Sequence, residues 1–332
     1  MNGTRHIRDT LGGILKQEGV AFDLIVRDDR SEDDTLAVVR EMAGDRVKVI
    51  VNSDRLGLAG NWNRCVTASR TPLVAVIHQD DVLLPGHLLR HRLAFDSAPS
   101  IGLVASASTV VDELNRDVPA TVVDRGGLGP TDRLFAPGEA LWAMAAGNPL
   151  RCSAVSIRVA AHADVGGFNP GLRYVVDWEF WLRVARRWSV AWLAKPTVAV
   201  RWHLASETHR FQTGTTDLEE TERILQDLAR MPSTDAIAAE RIAKDARRRL
   251  ARAYLNRAQV AARGGDGRLA GHCFVRSLKL SPRLFGGLVR DPRLAGQMAA
   301  VLLLPGVAGR WLRRELSEPA DPLESNPPCC PP

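Results

Sequence analysis

Residues 22–35 read FDLIVRDDRSEDDT, and residues 73–85 read LVAVIHQDDVLLP. Each joins a short apolar run, Phe22–Val26 or Leu73–Ile77, to a pair of aspartates, Asp28-Asp29 or Asp80-Asp81. Such a run suits a strand buried in a parallel sheet. Val47 to Val51 forms another, and helical patterns lie before and between them: Ile7, Leu11, Ile14 and Leu15 on one face, Leu36 to Val39, and Leu58 to Ala68. Ser31, three residues before Asp34, has the spacing of a capping box opening the second helix. Strands alternating with helices predict an α/β chain with a mainly parallel sheet and crossover helices. The two acidic pairs then share the rim at the C-terminal ends of the strands, where open α/β sheets bind ligands. Aspartates there are also ordinary turn and cap residues. That reading is preferred for Asp33 and Asp34, the functional one for Asp29 and Asp80.

Further on the pattern becomes mixed. Leu103–Val111, Cys152–Ile157 and Val190–Trp202 read as strands, Pro137–Ala146 and Asp177–Arg187 as helices. Past Leu218 the chain is Ala/Arg/Leu-rich and helical, with a turn at Gly264-Gly265-Asp266-Gly267 that resembles one tetratricopeptide-type hairpin. The last residues, 317–332, are Pro-rich and predict a disordered tail.

Composition bounds the rest. The 332 residues are 45% hydrophobic and 25% charged, a globular balance that excludes collagen-like and polytopic membrane chains. A net charge of +6 without a basic patch interleaved with aromatics argues against nucleic acid as a partner. Five cysteines with no ligand spacing point to a reducing compartment, and the first residues hold no apolar signal core, so the expectation is a cytoplasmic location.

Four segments occur in order: FDLIVRDDRSEDDT, NSDRLGLAGNWNRCVTASRTPLVAVIHQDDVLLP, VGGFNPGLRYVVDWEFWLRVARRW and VRWHLASET. Together they resemble the successive motifs of family 2, GT-A fold glycosyltransferases, over roughly the first 210 residues. The resemblance implies a GT-A, Rossmann-like catalytic domain over residues 1–210, and the Ala/Arg/Leu pattern adds a helical region over 217–316. It implies inverting transfer from a nucleotide-sugar donor to a glycan, lipid-linked or protein acceptor, with Mg²⁺ or Mn²⁺ as cofactor and a setting in polysaccharide, glycolipid or glycoprotein synthesis.

Residue by residue, the resemblance implies that Asp29 contacts the nucleotide base, that Asn63 stands beside the nucleotide, and that Asp80 holds the cation against the diphosphate. Gly167, in the Gly166-Gly167-Phe168 loop, would let backbone approach the donor, and Arg201 and His203 would reach the diphosphate or the metal. Asp177 matches the general base that takes the acceptor hydroxyl's proton. Each has a plainer reading: Asn63 as a polar helix residue, Asp177 as a helix cap, His203 as a surface histidine. Glu179 is expected to pair with Arg183 at i+4, and Trp178 to pack in the core. His78 stands where relatives carry the first aspartate of the metal motif, and it also reads as a strand-end histidine. Relatives open with a strand of which only Asn2-Gly3 is matched here, so translation is expected to start upstream of Met1. Gln297–Arg314 combines an apolar run with arginines, from which peripheral contact with the inner face of the plasma membrane is expected. The alternative to an enzyme is a non-catalytic nucleotide-sugar-binding or scaffolding relative.

Overall fold

The structure, a computed structural model, describes residues 2–121, 123, 126–203, 211, 213–230 and 236–282. The C-terminal tail, the Gln297–Arg314 segment and Cys329-Cys330 lie outside the described residues. These fall into two compact units, residues 2–203 and 211–282.

The first unit runs α1 (Ile7–Leu15), β1 (Leu24–Asp28), α2 (Thr35–Ala43), β2 (Val47–Val51), α3 (Gly57–Thr67), β3 (Leu73–Ala75), β4 (Val82–Leu83) and α4 (His87–Ser97). It continues with β5 (Ile101–Val111), β6 (Arg133–Phe135), α5 (Glu139–Met144), β7 (Val155–Arg158), α6 (Val159–Val165), α7 (Val176–Arg187) and β8 (Ser189–Arg201). β1 and β2 pair in parallel as a two-stranded sheet. The larger sheet has the order β3-β7-β5-β8-β4, with β6 added to β8. The α/β class stands, but the expected parallel character is confined to β1·β2 and β5·β8, and β3·β7, β4·β8, β5·β7 and β6·β8 are antiparallel. Apolar runs carry no strand direction. Alternation with helices suggested crossovers, whereas β7 runs back between β3 and β5.

Burial follows from neighbours. β5 lies between β7 and β8, and Ile101 to Ser106 are buried in succession. Leu24, Ile25 and Val26 on β1 and all of β3 are only half-buried, each strand having one ladder partner among the described residues. α1 buries Ile7 and Leu11 with Val38 and Val39 of α2, while Ile14 joins Leu83, Ala154 and Val198, so one helix serves both sheets. The β5·β8 register jumps between Ser106↔Leu193 and Ser108↔Val198. This bulge contains Pro196, which has no N–H to give a ladder, and it turns Thr197 inward to Ser106 Oγ at 2.6 Å and His87 Nδ1 at 2.7 Å.

The second unit holds α8 (Thr216–Ala229), α9 (Ala236–Arg263) and α10 (Gly267–Leu280). Asp266 caps α10, its carboxylate accepting from Leu269 N, and Ala251, Ala258 and Ala262 are buried on the expected face. Arg257–Asp217 at 2.7 Å and Arg276–Glu222 at 2.8 Å tie α9 and α10 to α8. No helix among the described residues is long and apolar enough to cross a membrane. Cys65, Cys152 and Cys273 are free thiols.

Candidate active site

β3 and the residues after it lead into the turn His78-Gln79-Asp80-Asp81 before β4. The His78 amide donates to Ser153 Oγ at 2.9 Å, which anchors the turn to the segment ahead of β7. Asp81 is buried, and its Oδ1 accepts the Arg201 backbone N–H at 2.9 Å from the end of β8. His203 follows two residues later, with Nε2 3.0 Å from Asp80 Oδ2. One ligand atom each from His78, Asp80 and Asp81 lie within 4.8 Å of one another.

Electrostatics separate the neighbouring carboxyls. Burial works to raise Asp80, but the His203 hydrogen bond and the attraction of His78 and His203 hold it below its ordinary value. Asp81 goes up, first from burial and then from the Asp80 charge beside it. A cation would relieve both, since two carboxylates and an imidazole within one ion's reach are a fitting donor set for a hard or borderline divalent metal.

Arg201 has no solvent-exposed side-chain surface. Its guanidinium donates to the Asp80 and Asp112 carbonyls, both at 3.0 Å, and to Asp9 Oδ2 at 3.0 Å. It therefore braces the Asp80 backbone from within the fold. His6, also near His203 at 5.5 Å between ring centroids, is lowered by burial and by the charge of Arg201.

Asp177 is the second residue of α7. Oδ1 accepts the Trp178 N–H at 2.7 Å and Oδ2 accepts Asn148 Nδ2 at 3.0 Å, so the carboxylate is held from two sides at a helix start. Surrounding protein raises its pKa, against those two hydrogen bonds and the pull of His78. His78 is thus within electrostatic reach of Asp80, Asp81 and Asp177. Cys152, buried and pushed well above its ordinary range, owes its shift first to burial, then to Asp177 and Asp81. The metal-capable turn and the candidate base share one neighbourhood.

Asp29 and Asn63 are placed differently. Asp29 accepts Asn52 Nδ2 at 2.8 Å, Leu56 N at 2.8 Å and Gly57 N at 3.0 Å, which satisfies the start of α3. No described contact joins it to the Asp80 turn. Asn63, midway along α3, clamps the Phe168 peptide: Nδ2 donates to Phe168 O at 2.8 Å and Oδ1 accepts Phe168 N at 2.8 Å. Gly167 sits under that clamp at φ +72°, and a Cβ there would lie 2.8 Å from Asn63 Oδ1. Arg183 of α7 donates to the Val165 and Gly167 carbonyls from the other side and pairs with Glu179 at 2.6 Å, as the i+4 spacing predicts. Trp178 is in the core, its Nε1 bound to Met144 O at 2.9 Å.

Near the second acidic run, the expected capping box is replaced. Ser31 turns back to Asp28, its N–H donating to Oδ2 at 2.7 Å, and Asp33 receives Thr35 N and Thr4 N, both at 3.1 Å. Burial opposes, but the hydrogen bond from the Thr35 hydroxyl, with those from Thr4 and the two backbone N–H groups, outweighs it, and Asp33 is lowered to about 2. Sequence reading missed Asn148, Ser153, Asp9 and the bracing role of Asp81. They lie between the longer elements or, for Asp9, on α1, and no short motif marks them.

The family model described as "Glycosyl transferase family 2" matches residues 2–142. An uncharacterized protein of Mycobacterium tuberculosis is 31% identical over 229 residues, 68% of this chain and 72% of that protein. The chain belongs to glycosyl transferase family 2. Staphylococcus aureus TarS 1-349, solved with UDP-GlcNAc, superimposes with a TM-score of 0.56 at 17% identity over 95% of this chain and 88% of that one. The mannosyltransferase PcManGT of Pyrobaculum calidifontis, solved with GDP-Man and Mn²⁺, gives 0.51 at 15% identity over 92% and 84%. Both likenesses place this transferase in the GT-A fold.

Proposed function

We propose that this glycosyltransferase moves a sugar from a nucleotide-sugar donor to a hydroxyl of a glycan, lipid-linked or protein acceptor, with inversion at the anomeric carbon, in cell-surface polysaccharide or glycoconjugate synthesis. The carrying observation is the position of His78, within electrostatic reach of Asp80, Asp81 and Asp177 together. Asp80 and His203 would hold a divalent cation, Mg²⁺ or Mn²⁺, which when bound neutralises charge growing on the diphosphate leaving group.

Asp177 takes the acceptor proton. Its oxygens each keep a lone pair beyond the bonds from Trp178 and Asn148, and its raised pKa makes it a stronger base than an exposed aspartate. Asn148 and the Trp178 N–H fix the carboxylate, so little reorientation is needed before attack. Asn63 and Arg183 grip the Gly166–Phe168 loop from α3 and α7. Asp29 accepts the N–H groups at the start of α3 and Asp177 lies in the first turn of α7, so the loop holds the donor side and the base side in register. Arg201 supports the Asp80 backbone rather than meeting a phosphate.

The test is a thermal-shift screen of UDP-, GDP- and dTDP-sugars with and without Mn²⁺, because a bound donor raises the melting point by mass action. A metal-dependent rise with one donor, followed by transfer that Asp177→Asn abolishes without loss of the shift, supports the reading. No shift with any donor, or a shift without transfer in the unaltered chain, favours the non-catalytic relative that His78 in place of a carboxylate suggests.

A further inference from the structure

We propose that His78 is itself a ligand of the cation at the Asp80-Asp81 turn, which makes this a mixed imidazole–carboxylate site selecting Mn²⁺ over Mg²⁺. The inference rests on the function proposed above for there being a cation at this turn at all.

The first argument is distance. The three ligand atoms of His78, Asp80 and Asp81 lie within 4.8 Å of one another. A divalent ion at about 2.0–2.4 Å from each oxygen or nitrogen spans ligand pairs up to roughly 4.8 Å apart. The second is the state of the ring. His87, His91, His162 and His203 each make a ring-nitrogen hydrogen bond, at 2.7, 2.8, 2.9 and 3.0 Å. In His78 the Nε2 atom is buried without a hydrogen-bond partner, and Nδ1 stands 3.9 Å from Asp81 Oδ2, too far for one. Among the described residues no hydrogen bond aims this ring. Its orientation comes from stacking on Trp62, with centroids 5.3 Å apart and planes 22° apart, and from the His78 amide tied to Ser153. An imidazole held by its face and left with open nitrogens beside two carboxylates is placed as a ligand rather than as a structural hydrogen-bonder.

The choice of metal follows from the donor set. Mg²⁺ takes oxygen ligands in near-ideal octahedra and keeps its waters, whereas nitrogen donors favour first-row transition ions. His203, already on Asp80, offers a second imidazole. Imidazole nitrogens at His78 and His203 in place of further oxygen donors penalise Mg²⁺ most.

The experiment uses the full chain and its His78→Asp, His78→Gln and His203→Asn variants, with folding checked by circular dichroism. Mn²⁺ and Mg²⁺ are titrated calorimetrically, alone and with UDP, GDP or dTDP present, and bound Mn²⁺ is read by pulsed electron paramagnetic resonance for ¹⁴N coupling. The unaltered chain should show coupling from two imidazoles, and each histidine variant from one. His78→Asp should lower the Mn²⁺:Mg²⁺ affinity ratio by about tenfold or more, the scale on which ligand-shell changes act. An unchanged ratio together with unchanged coupling in both His78 variants overturns the proposal. If metal-dependent nucleotide binding persists in that case, the proposed function survives it; if the unaltered chain binds neither cation under any of these conditions, both fall.

Discussion

Two acidic turns follow two short apolar strands in this molecule, and they do different work. After β1, the oxygens of Asp28 and Asp29 are met by hydroxyl, amide and backbone N–H donors at Ser31, Asn52, Leu56 and Gly57. After β3, Asp80 and Asp81 face imidazoles, the end of β8 and each other. Neutral donors that organise a loop satisfy the first pair. The second is left with charge that a cation or a positive partner completes. What stands opposite an aspartate pair decides its chemistry, and strand-Asp-Asp patterns alone do not carry that information.

The comparison breaks most visibly at Asp177, the proposed base beside the second turn. Asp177→Asn should cut transfer by about 10²–10⁴-fold, the usual contribution of a general base, with melting temperature nearly unchanged. Because burial raises this carboxyl and the base works ionised, transfer by the unaltered enzyme should fall as pH drops through a midpoint above the ordinary aspartate range. A kcat/KM profile against pH reads both.

Burial without a partner recurs away from the site, in α4. His87 and His91 stack with ring centroids 4.0 Å apart, each with Nδ1 on a hydroxyl and Nε2 buried and unpaired. Burial, then the nearby Arg90 charge, lowers His87 to about 4, and His91 falls well below its ordinary value from burial, His87 and Arg90. Above the unfolded histidine value near 6.5 the pair costs nothing. Below it the unfolded chain takes up protons that the folded chain refuses, so stability should fall by up to about 1.4 kcal/mol per pH unit for each histidine. Urea unfolding from pH 7.5 to 4.5 measures the slope, and His91→Gln should flatten it whatever it does to stability at pH 7.5.

Gly167→Ala puts a Cβ against Asn63 Oδ1 in a left-handed backbone, a strain of about 1–3 kcal/mol, and should lower the melting temperature by several degrees. Smallest is the contrast between the two turns in stability. Asp29→Ala uncaps α3 and should cost about 1 kcal/mol, whereas Asp80→Asn gives up the pairing with His203 and His78 but relieves the repulsion on Asp81, so its cost to the metal-free protein should be the smaller of the two. If Asp80→Asn proves the more destabilising of the two, the assignment of the first turn to structure and the second to chemistry is reversed.

Much of this was legible in the amino-acid sequence. The runs at Phe22–Val26, Val47–Val51 and Leu73–Ile77 overlap β1, β2 and β3, and Asp177 does lie in the first turn of α7. Strand direction was not legible, since parallel and antiparallel buried strands share the same apolar composition. Helix capping was misread because Ser31 had two acidic partners within three residues, and Asp28 won. Asn63 and Arg201 carried the right chemistry for a ligand, but folding spends it on the Phe168 peptide and on the Asp80 carbonyl. Only the approach of distant loops reveals that, as it does for Asn148 and Ser153.

The most direct test of the account is calorimetric binding of UDP, GDP and dTDP with and without Mn²⁺ to the unaltered chain, Asp80→Asn and Asp29→Ala. The account predicts that one nucleotide binds only with Mn²⁺, that Asp80→Asn abolishes this dependence, and that Asp29→Ala keeps it. Binding that ignores Mn²⁺, or that survives Asp80→Asn unchanged, would contradict it.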